Sequence, residues 1–216
     1  MKYLGSLYLV WRQSNDMDRH VVGEIKKSNG EFCFRYLIDQ KKADEIGFTS
    51  YVAFSDLTKT YTKNVLDTFG HRLINPIRED IQKYYDYWEI DKRYTSDKYY
   101  MLAHTQGLLA IDNFELLADY TPLNGVSFIS EICDISRYNV SPELLTEGDM
   151  LRWEYDPKNE HDNKAVKVFK NDVFLGYVKI VHSRAFYKKG GQDLQIKIKD
   201  IDKNGRLNRV FIRIYK

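Results

Sequence analysis

Hydrophobic and polar positions alternate with a period of two over the first forty residues of the chain, as in strands that bury one face. The alternation predicts three strands, at residues 7–11, 20–25 and 31–37. A polar stretch at 13–18 and the turn sequence Ser28-Asn29-Gly30 separate them. We therefore expect the chain to begin with an antiparallel β-meander.

The period changes to about 3.6 residues after this meander, which is typical of amphipathic helices. Apolar positions within residues 65–73 share one helical face. Asn75-Pro76 predicts the start of a second helix with Ile77 on its apolar face, because Asn can cap and Pro fits the first helical position. Asp97 can cap a third helix, which Gly107 would end. Residues 1–120 are thus predicted to form an α+β domain, a meander followed by a small helical cluster.

A boundary falls at residues 120–125, where Pro, Asn and Gly cluster between two apolar runs. The strands predicted after it are short and alternate in polarity, at residues 126–132, 150–155, 165–169 and 173–178. A helical stretch at 179–187 follows. A closing hairpin then pairs 194–201 with 207–215 across the tight-turn sequence Asn204-Gly205. This pattern predicts a second domain at residues 125–216, a small closed or half-closed β-barrel.

The composition fits two ordinary globular domains. With 216 residues, of which 43% are hydrophobic and 14% aromatic, the chain has ample material for packed cores. Cys33 and Cys133 are too few and too far apart for a disulfide framework, which favours a reducing compartment. The N-terminal apolar run is broken by Arg12 and is too short to span a membrane. We expect a cytoplasmic protein with no membrane partner.

Charge is unevenly distributed along the chain. The net charge is +2, but residues 164–216 hold 14 Lys and Arg against 4 Asp and Glu, a local excess of +10. Such a bias is what a surface that binds a polyanion requires. A solvated basic face without a partner would give the same count, so both interpretations stay open.

A longer motif lies in the second domain. Residues 153–168 read Trp-Glu-Tyr-Asp-Pro-Lys-Asn-Glu-His-Asp-Asn-Lys-Ala-Val-Lys-Val, Leu175-Gly176-Tyr177-Val178 follows, and Arg137-Tyr138 precedes. Together they resemble the central signature of the HIRAN family: an acidic residue and Pro, an Asn-rich loop that ends in Asp, then a strand and a Leu-Gly-aromatic step. The resemblance covers about residues 125–216 and implies an OB-like barrel.

HIRAN domains are fused to Swi/Snf-type ATPases in eukaryotes, stand alone in bacteria, and recognise DNA, including single-stranded 3′ ends. The resemblance therefore implies a non-enzymatic DNA-binding protein, an accessory factor in DNA repair, restart or defence. It implies that Asp162 contacts the terminal sugar hydroxyl and that His161 faces the terminal nucleotide. Tyr177 and Lys179 would line the far side of the groove.

The same resemblance implies that Arg137 holds a phosphate and that Tyr138 stacks on a base. The sequence departs from the family pattern at three positions. Tyr155 stands where Arg is common, Glu160 where Pro is common, and Lys164 where Asn is common. These departures bear on the preference for DNA ends more than on the fold, because they alter the loop that presents the terminal acid.

The residue types suit this role on physical grounds. A single-stranded nucleic acid is bound by rings that stack on bases, at about 1–3 kcal/mol per base, interleaved with cations that follow the phosphates. The candidates of both kinds are Arg137, Tyr138, Trp153, His161, Lys164, Lys167, Tyr177, Lys179, His182 and Arg184. Asp162 would repel internal phosphates and accept from a terminal hydroxyl, or it would only bond amides of its own loop. Trp153 alternates with Leu151, which favours a core position for its ring.

The first half is similar to the small N-terminal subdomain of HipA-type proteins. The similarity is carried by Val22-Gly23-Glu24-Ile25, Phe34-Arg35-Tyr36, Arg78-Glu79-Asp80-Ile81 and Gln106-Gly107. In that family the subdomain packs against a kinase body, but the chain contains no kinase motif. The resemblance therefore implies a docking role for residues 1–120 with a protein partner, and no kinase activity.

Two other functions stay open. Asp162-Asn163-Lys164 matches half of a metal-dependent nuclease motif, for which Glu154 or Asp149 could supply the partner carboxylate. The chain could also be a protein-interaction adaptor without nucleic-acid binding. Its five His and two Cys show no ligand spacing, so we expect neither a metal site nor a cofactor.

Overall fold

The computed structural model describes residues 4–14, 17–138, 140–203 and 207–216. The chain divides into two compact units, Met1–Asp119 and Tyr120–Lys216. Helices within the described ranges are all too short or too polar to cross a bilayer.

The strands of the first unit are β1 (Leu4–Trp11), β2 (His20–Ser28), β3 (Glu31–Tyr36), β4 (Thr60–Tyr61) and β5 (Phe114–Tyr120). As far as the chain is described, they form a five-stranded sheet in the order β4-β3-β2-β1-β5. The predicted meander is confirmed, since β1, β2 and β3 pair antiparallel in sequence order. The sequence did not predict β5. Four of its successive residues are buried, so it offers no alternation to detect.

The helices of the first unit are α1 (Gln40–Ile46), α2 (Val65–Gly70), α3 (Ile81–Tyr87) and α4 (Lys98–Thr105). Asp97 caps α4 as predicted, because its carboxylate accepts the amide of Tyr100 at 3.1 Å. The prediction that Asn75-Pro76 opens a helix is wrong. The Asn75 side chain instead accepts the amide of Ile77 at 3.0 Å in a turn, and α3 begins later, so that Ile77 is 86% exposed.

Aromatic rings fill the core of the first unit. Phe34 has no exposed surface, and its ring centroid lies 4.9 Å from that of Tyr36, 5.0 Å from Phe54 and 5.3 Å from Phe69. Tilted and edge-on contacts at these separations add to the free energy gained by burying the rings. The sheet is therefore held to the elements beneath it by a cluster of rings.

The strands of the second unit are β6 (Ser127–Cys133), β7 (Met150–Asp156), β8 (Ala165–Lys170), β9 (Val173–Val178), β10 (Gln195–Lys203) and β11 (Leu207–Tyr215). They close into an antiparallel barrel in the order β10-β11-β6-β9-β8-β7, which confirms the predicted barrel. Asn204-Gly205, predicted to form the turn between β10 and β11, lies outside the described residues. Short 3-10 helices follow β6, at Ile135–Tyr138, and β9, at His182–Tyr187.

Aliphatic side chains dominate the interior of the barrel. The inward positions with almost no exposed surface include Val166, Val168, Leu175, Ile196, Ile198, Val210, Ile212 and Ile214. Along β8 and β10 they alternate with more exposed positions, as in other small barrels whose interior is filled by side chains. The outward positions are thus available to carry polar groups and function.

A bulge at Gly176 disturbs this alternation in β9. The pairing register between β8 and β9 shifts there, so that Phe169 pairs with Phe174 although Lys167 pairs with Tyr177. Gly176 has a φ of 136°, and a Cβ at this position would lie 2.1 Å from the carbonyl oxygen of residue 133. Only glycine tolerates both conditions. Gly176 therefore fixes the position of the bulge, which adds one residue to β9 relative to β8. It turns Phe174 and Tyr177, three positions apart, to the same outer face, where their ring centroids are 5.3 Å apart.

Candidate nucleic-acid interface

A carboxylate at the end of β7 holds two of the predicted contact residues together. Asp156 Oδ2 accepts a hydrogen bond from the Tyr177 hydroxyl at 3.1 Å and lies 3.1 Å from Lys167 Nζ. Desolvation alone would raise the pKa of Asp156, but the hydrogen bonds from Lys167 and Tyr177 outweigh it and keep the pKa below its ordinary value. Asp156 is therefore an anion that fixes a ring and a cation side by side on the outside of the barrel.

Tyr138 joins the same surface from the 3-10 helix after β6. Its ring packs edge-on against Phe174, with centroids 4.6 Å apart, and 40% of the residue is exposed. Arg137 beside it forms an ion pair with Asp134, with Nε 3.4 Å from Oδ1. Desolvation, and then the nearby Asp134 carboxylate, raise the pKa of the Tyr138 hydroxyl. Phe174 thus lies between two tyrosine rings, those of Tyr138 and Tyr177.

The loop between β7 and β8 carries His161 and Asp162. The side-chain oxygen of Asn159 accepts the amides of His161 at 2.9 Å and Asp162 at 3.0 Å. Asp162 Oδ1 accepts the amide of Lys164 at 2.9 Å, and Oδ2 accepts the Ser183 hydroxyl at 3.4 Å. Asp162 is therefore half-buried and performs the loop-bonding role that the sequence left open, while His161 and Lys164 are exposed.

Consecutive contacts connect the loop to the rings. The backbone N–H of Asn159 donates to the backbone carbonyl of Asp156 at 3.1 Å, and the Asp156 carboxylate in turn accepts from the Tyr177 hydroxyl. Seven of the eight predicted site residues belong to this connected region of the barrel, namely Arg137, Tyr138, His161, Asp162, Lys164, Lys167 and Tyr177.

Lys179, the eighth, does not line a groove. Its side chain has no exposed surface, and Nζ lies 3.1 Å from Glu131 Oε2. Arg209 also donates to both oxygens of Glu131 at 2.9 Å. A buried ammonium is tolerated because a carboxylate compensates its charge, which gives Lys179 a structural position and corrects the assignment from the sequence.

Trp153 and His182, considered as stacking residues, also face inward. The Trp153 ring lies 4.7 Å from Phe186, and its indole N–H donates to a backbone carbonyl at 2.8 Å. His182 is fully buried, with Nδ1 2.9 Å from the hydroxyl oxygen of Ser130. Arg184 is half-buried on the same 3-10 helix as His182. The packing role that alternation predicted for Trp153 is thus the one observed.

The basic residues of the second unit do not gather on one face. Lys167 and Lys170 lie on β8, whereas Arg209 and Arg213 lie on β11. Two strands lie between β8 and β11 in either direction around the barrel. Many of these cations have acidic neighbours, such as Asp149, whose Oδ1 is 2.8 Å from Lys170 Nζ. The local excess of +10 therefore does not create a single basic surface, and the rings define the candidate site better than the charge does.

The carboxylates proposed for a nuclease centre lie apart. Asp149 precedes β7 and Asp162 follows its other end. Glu154 forms an ion pair with Arg152 on the outer face. Within the described ranges, no group of three or more His, Cys, Asp or Glu side chains is arranged to hold a metal ion.

Sequence reasoning missed Asp156 and Phe174. Strict alternation places Phe174 and Tyr177 on opposite faces of a strand, and only the bulge brings them together. The glycine in Leu175-Gly176-Tyr177 was the available signal, since an isolated glycine within a strand often marks a bulge.

Comparisons with known proteins give a distant structural match. A scan against protein-family models and a search of curated proteins found no match. The crystal structure of the HIRAN domain of human HLTF matches with 16% sequence identity and a TM-score of 0.34, over 41% of this chain and 72% of that chain. The HipA-type resemblance of residues 1–120 has no support among these findings.

Proposed function

We propose that the second unit binds single-stranded DNA on the outer surface of β8 and β9, without catalysing a reaction, and recognises 3′ ends. The observation that carries this proposal is the cluster of Tyr138, Phe174 and Tyr177 outside the barrel, with Lys167 at its side. Exposed rings beside a cation are what an unstacked base and its phosphate require. The protein would act as an accessory factor in DNA repair, restart or defence in the cytoplasm, and residues 1–120 would dock a protein partner.

The cations of this surface have carboxylate neighbours, and this sets the character of the binding. Lys167 lies beside Asp156, and Arg137 beside Asp134. A phosphate must therefore compete with a carboxylate for each of them. With exposed Lys164 as a third contact, we expect a slope of log K against log salt of about −2, shallower than a wholly basic groove would give. Stacking would supply most of the affinity.

Asp162 supplies the preference for a free 3′ end in this proposal. Its Oδ2 accepts from Ser183 at 3.4 Å, a long hydrogen bond that a terminal sugar hydroxyl can replace. A 3′ phosphate would instead be repelled by the carboxylate. Substituting Asn at this position keeps an oxygen that accepts the Lys164 amide but removes the charge, so it separates the loop role from the recognition role.

The test is fluorescence anisotropy with labelled oligonucleotides that end in a 3′ hydroxyl or a 3′ phosphate, over a salt series. We expect Tyr138→Leu to weaken binding about tenfold by removing a stacking ring. Asp162→Asn should abolish the preference for the hydroxyl at an unchanged unfolding midpoint. Tyr215→Leu, on β11 away from the site, is the control and should bind as the wild type does. Absence of binding to any oligonucleotide at low salt rejects the proposal.

The same samples distinguish the two alternatives. Incubation of the DNA with magnesium or manganese should leave it intact, whereas cleavage that Asp162→Asn abolishes would indicate a nuclease. If no DNA binds, and a protein partner is captured equally well by the wild type and by a Lys164→Ala, Lys167→Ala, Tyr177→Leu triple variant, the adaptor function is favoured.

A further inference from the structure

The outer face of β7, β8 and β9 continues beyond the proposed site. Arg152 and Phe169 face each other across β7 and β8, and the guanidinium carbon lies 4.2 Å from the centre of the Phe169 ring. Phe169 in turn lies 5.4 Å from Phe174, its partner on β9. Together with Tyr138 these residues form a continuous series, which we call the aromatic row: Arg152, Phe169, Phe174 and Tyr138.

The guanidinium at the end of the aromatic row is held by two contacts. Its edge is occupied by an ion pair with Glu154, two positions along β7. The group also lies over the Phe169 ring. The Arg152 side chain is nevertheless 47% exposed, so part of its guanidinium remains open to solvent. An arginine fixed by its edge and by one plane offers the remaining plane as a platform on which an aromatic ligand can stack.

Two observations favour a nucleobase as that ligand. The platform continues a line of half-exposed rings in steps of 4.2 to 5.4 Å, so successive flat groups of one chain can occupy it. The Arg152 charge is already balanced by Glu154, which disfavours a site built for phosphate alone. Stacking on guanidinium planes is a common way for proteins to hold unpaired bases.

We propose that Arg152 provides an additional base-stacking position, so that a bound single strand runs along the aromatic row from Tyr138 to Arg152. This inference rests on the proposed function and specifies its ligand, a strand long enough to cover the row. A strand of two nucleotides that occupies Tyr138 and Phe174 does not reach Arg152, which lies beyond Phe169 in the row. Affinity therefore rises with length until the row is covered.

The experiment measures dissociation constants for oligothymidines of two to ten nucleotides with a 3′ hydroxyl. The informative variant is Arg152→Lys, which keeps the charge but removes the plane. We expect it to weaken binding of the ten-nucleotide strand about tenfold and to change binding of the dinucleotide less than about twofold. Phe169→Leu, which removes the support beneath the guanidinium, should reproduce this pattern.

The barrel offers a matched control in Arg213. Its guanidinium carbon stands 5.0 Å from the centre of the Tyr215 ring, the same type of arrangement on β11. Arg213→Lys should leave binding at every length unchanged.

Three outcomes overturn the inference. In the first, the wild type gains affinity with length and Arg152→Lys binds each strand as tightly as the wild type does. Arg152 then does not stack on a base, and the proposed function survives. If Arg152→Lys weakens short and long strands alike, it acts through the fold. If the wild type binds no strand of any length, the proposed function fails and this inference fails with it.

Discussion

The two units use aromatic side chains in opposite ways. In the first unit the ring of Phe34 is fully buried and surrounded by other rings. In the second unit the aromatic row lies on the outside, and the interior of the barrel is mostly aliphatic. Rings inside a core stabilise the fold, whereas rings outside it cost little to remove and are free to meet a ligand. The location of the rings, more than their number, is therefore the basis for proposing that the second unit binds a ligand.

The architecture explains the difference. A closed barrel has a narrow interior, which branched aliphatic side chains fill from alternate positions. An open sheet covered by helices leaves a wider space, in which rings such as Phe54 and Phe69 fit beside β3. Three predictions test how far this contrast between the units extends, beginning with the largest effect.

Removing a ring from the core of the first unit should have the largest effect on stability. Phe34→Ala deletes a fully buried ring among three others and leaves a cavity, at a cost of about 3–5 kcal/mol. Urea unfolding of the wild type and the variant measures the loss. A cost below about 1 kcal/mol would show that the inward rings are not what holds this unit together.

Acidification should weaken the first unit selectively. The ring centroid of His104 lies 4.2 Å from that of Tyr100. Burial lowers the pKa of His104 from 6.5 to about 4. The folded unit thus binds fewer protons than the unfolded chain between these values. The contribution of His104 to the free energy of unfolding is therefore complete above pH 6.5. About 3 kcal/mol of it is lost as the pH falls to 4.

Hydrogen exchange measured by mass spectrometry, which resolves peptides of residues 1–119, checks this prediction from pH 7 to pH 4. The variant His104→Gln cannot titrate and should lose the decline in this range. A decline of equal size in the variant would mean that another group is responsible.

The smallest effect on stability is expected for a ring of the aromatic row. Phe169→Ala removes a half-buried ring from the outer face and should cost about 1 kcal/mol or less, several times less than Phe34→Ala. Thermal unfolding of the two variants side by side gives the comparison directly. Equal losses would contradict the division between stabilising rings and binding rings.

Much of the fold follows from local patterns in the sequence. The strands of the meander and of the barrel were predictable because alternation with a period of two is visible wherever one face is buried. The start of α3 was not, because the Asn75 side chain bonds to a turn as readily as it caps a helix. Strand β5 has no alternation, since it is buried on both faces.

The candidate site was predictable only in part. The motif placed Tyr177 and the loop of Asp162 correctly in one region, because a short loop between paired strands keeps its residues together. The burial of Lys179 was not predictable, since its partner Glu131 lies far away in the sequence. Nor could the pairing of Arg152 with Phe169 be foreseen without the register of β7 and β8.

The glycine at position 176 has a wider consequence. The carbonyl of residue 133 occupies the space of a missing methyl group, so any larger side chain there would force the two strands apart or slide one past the other. Either change would rotate Phe174 away from Tyr177 and separate the two rings on the outer face of the barrel. The proposed binding of a nucleic acid therefore depends on a side chain that is absent, at a position that contributes no contact of its own.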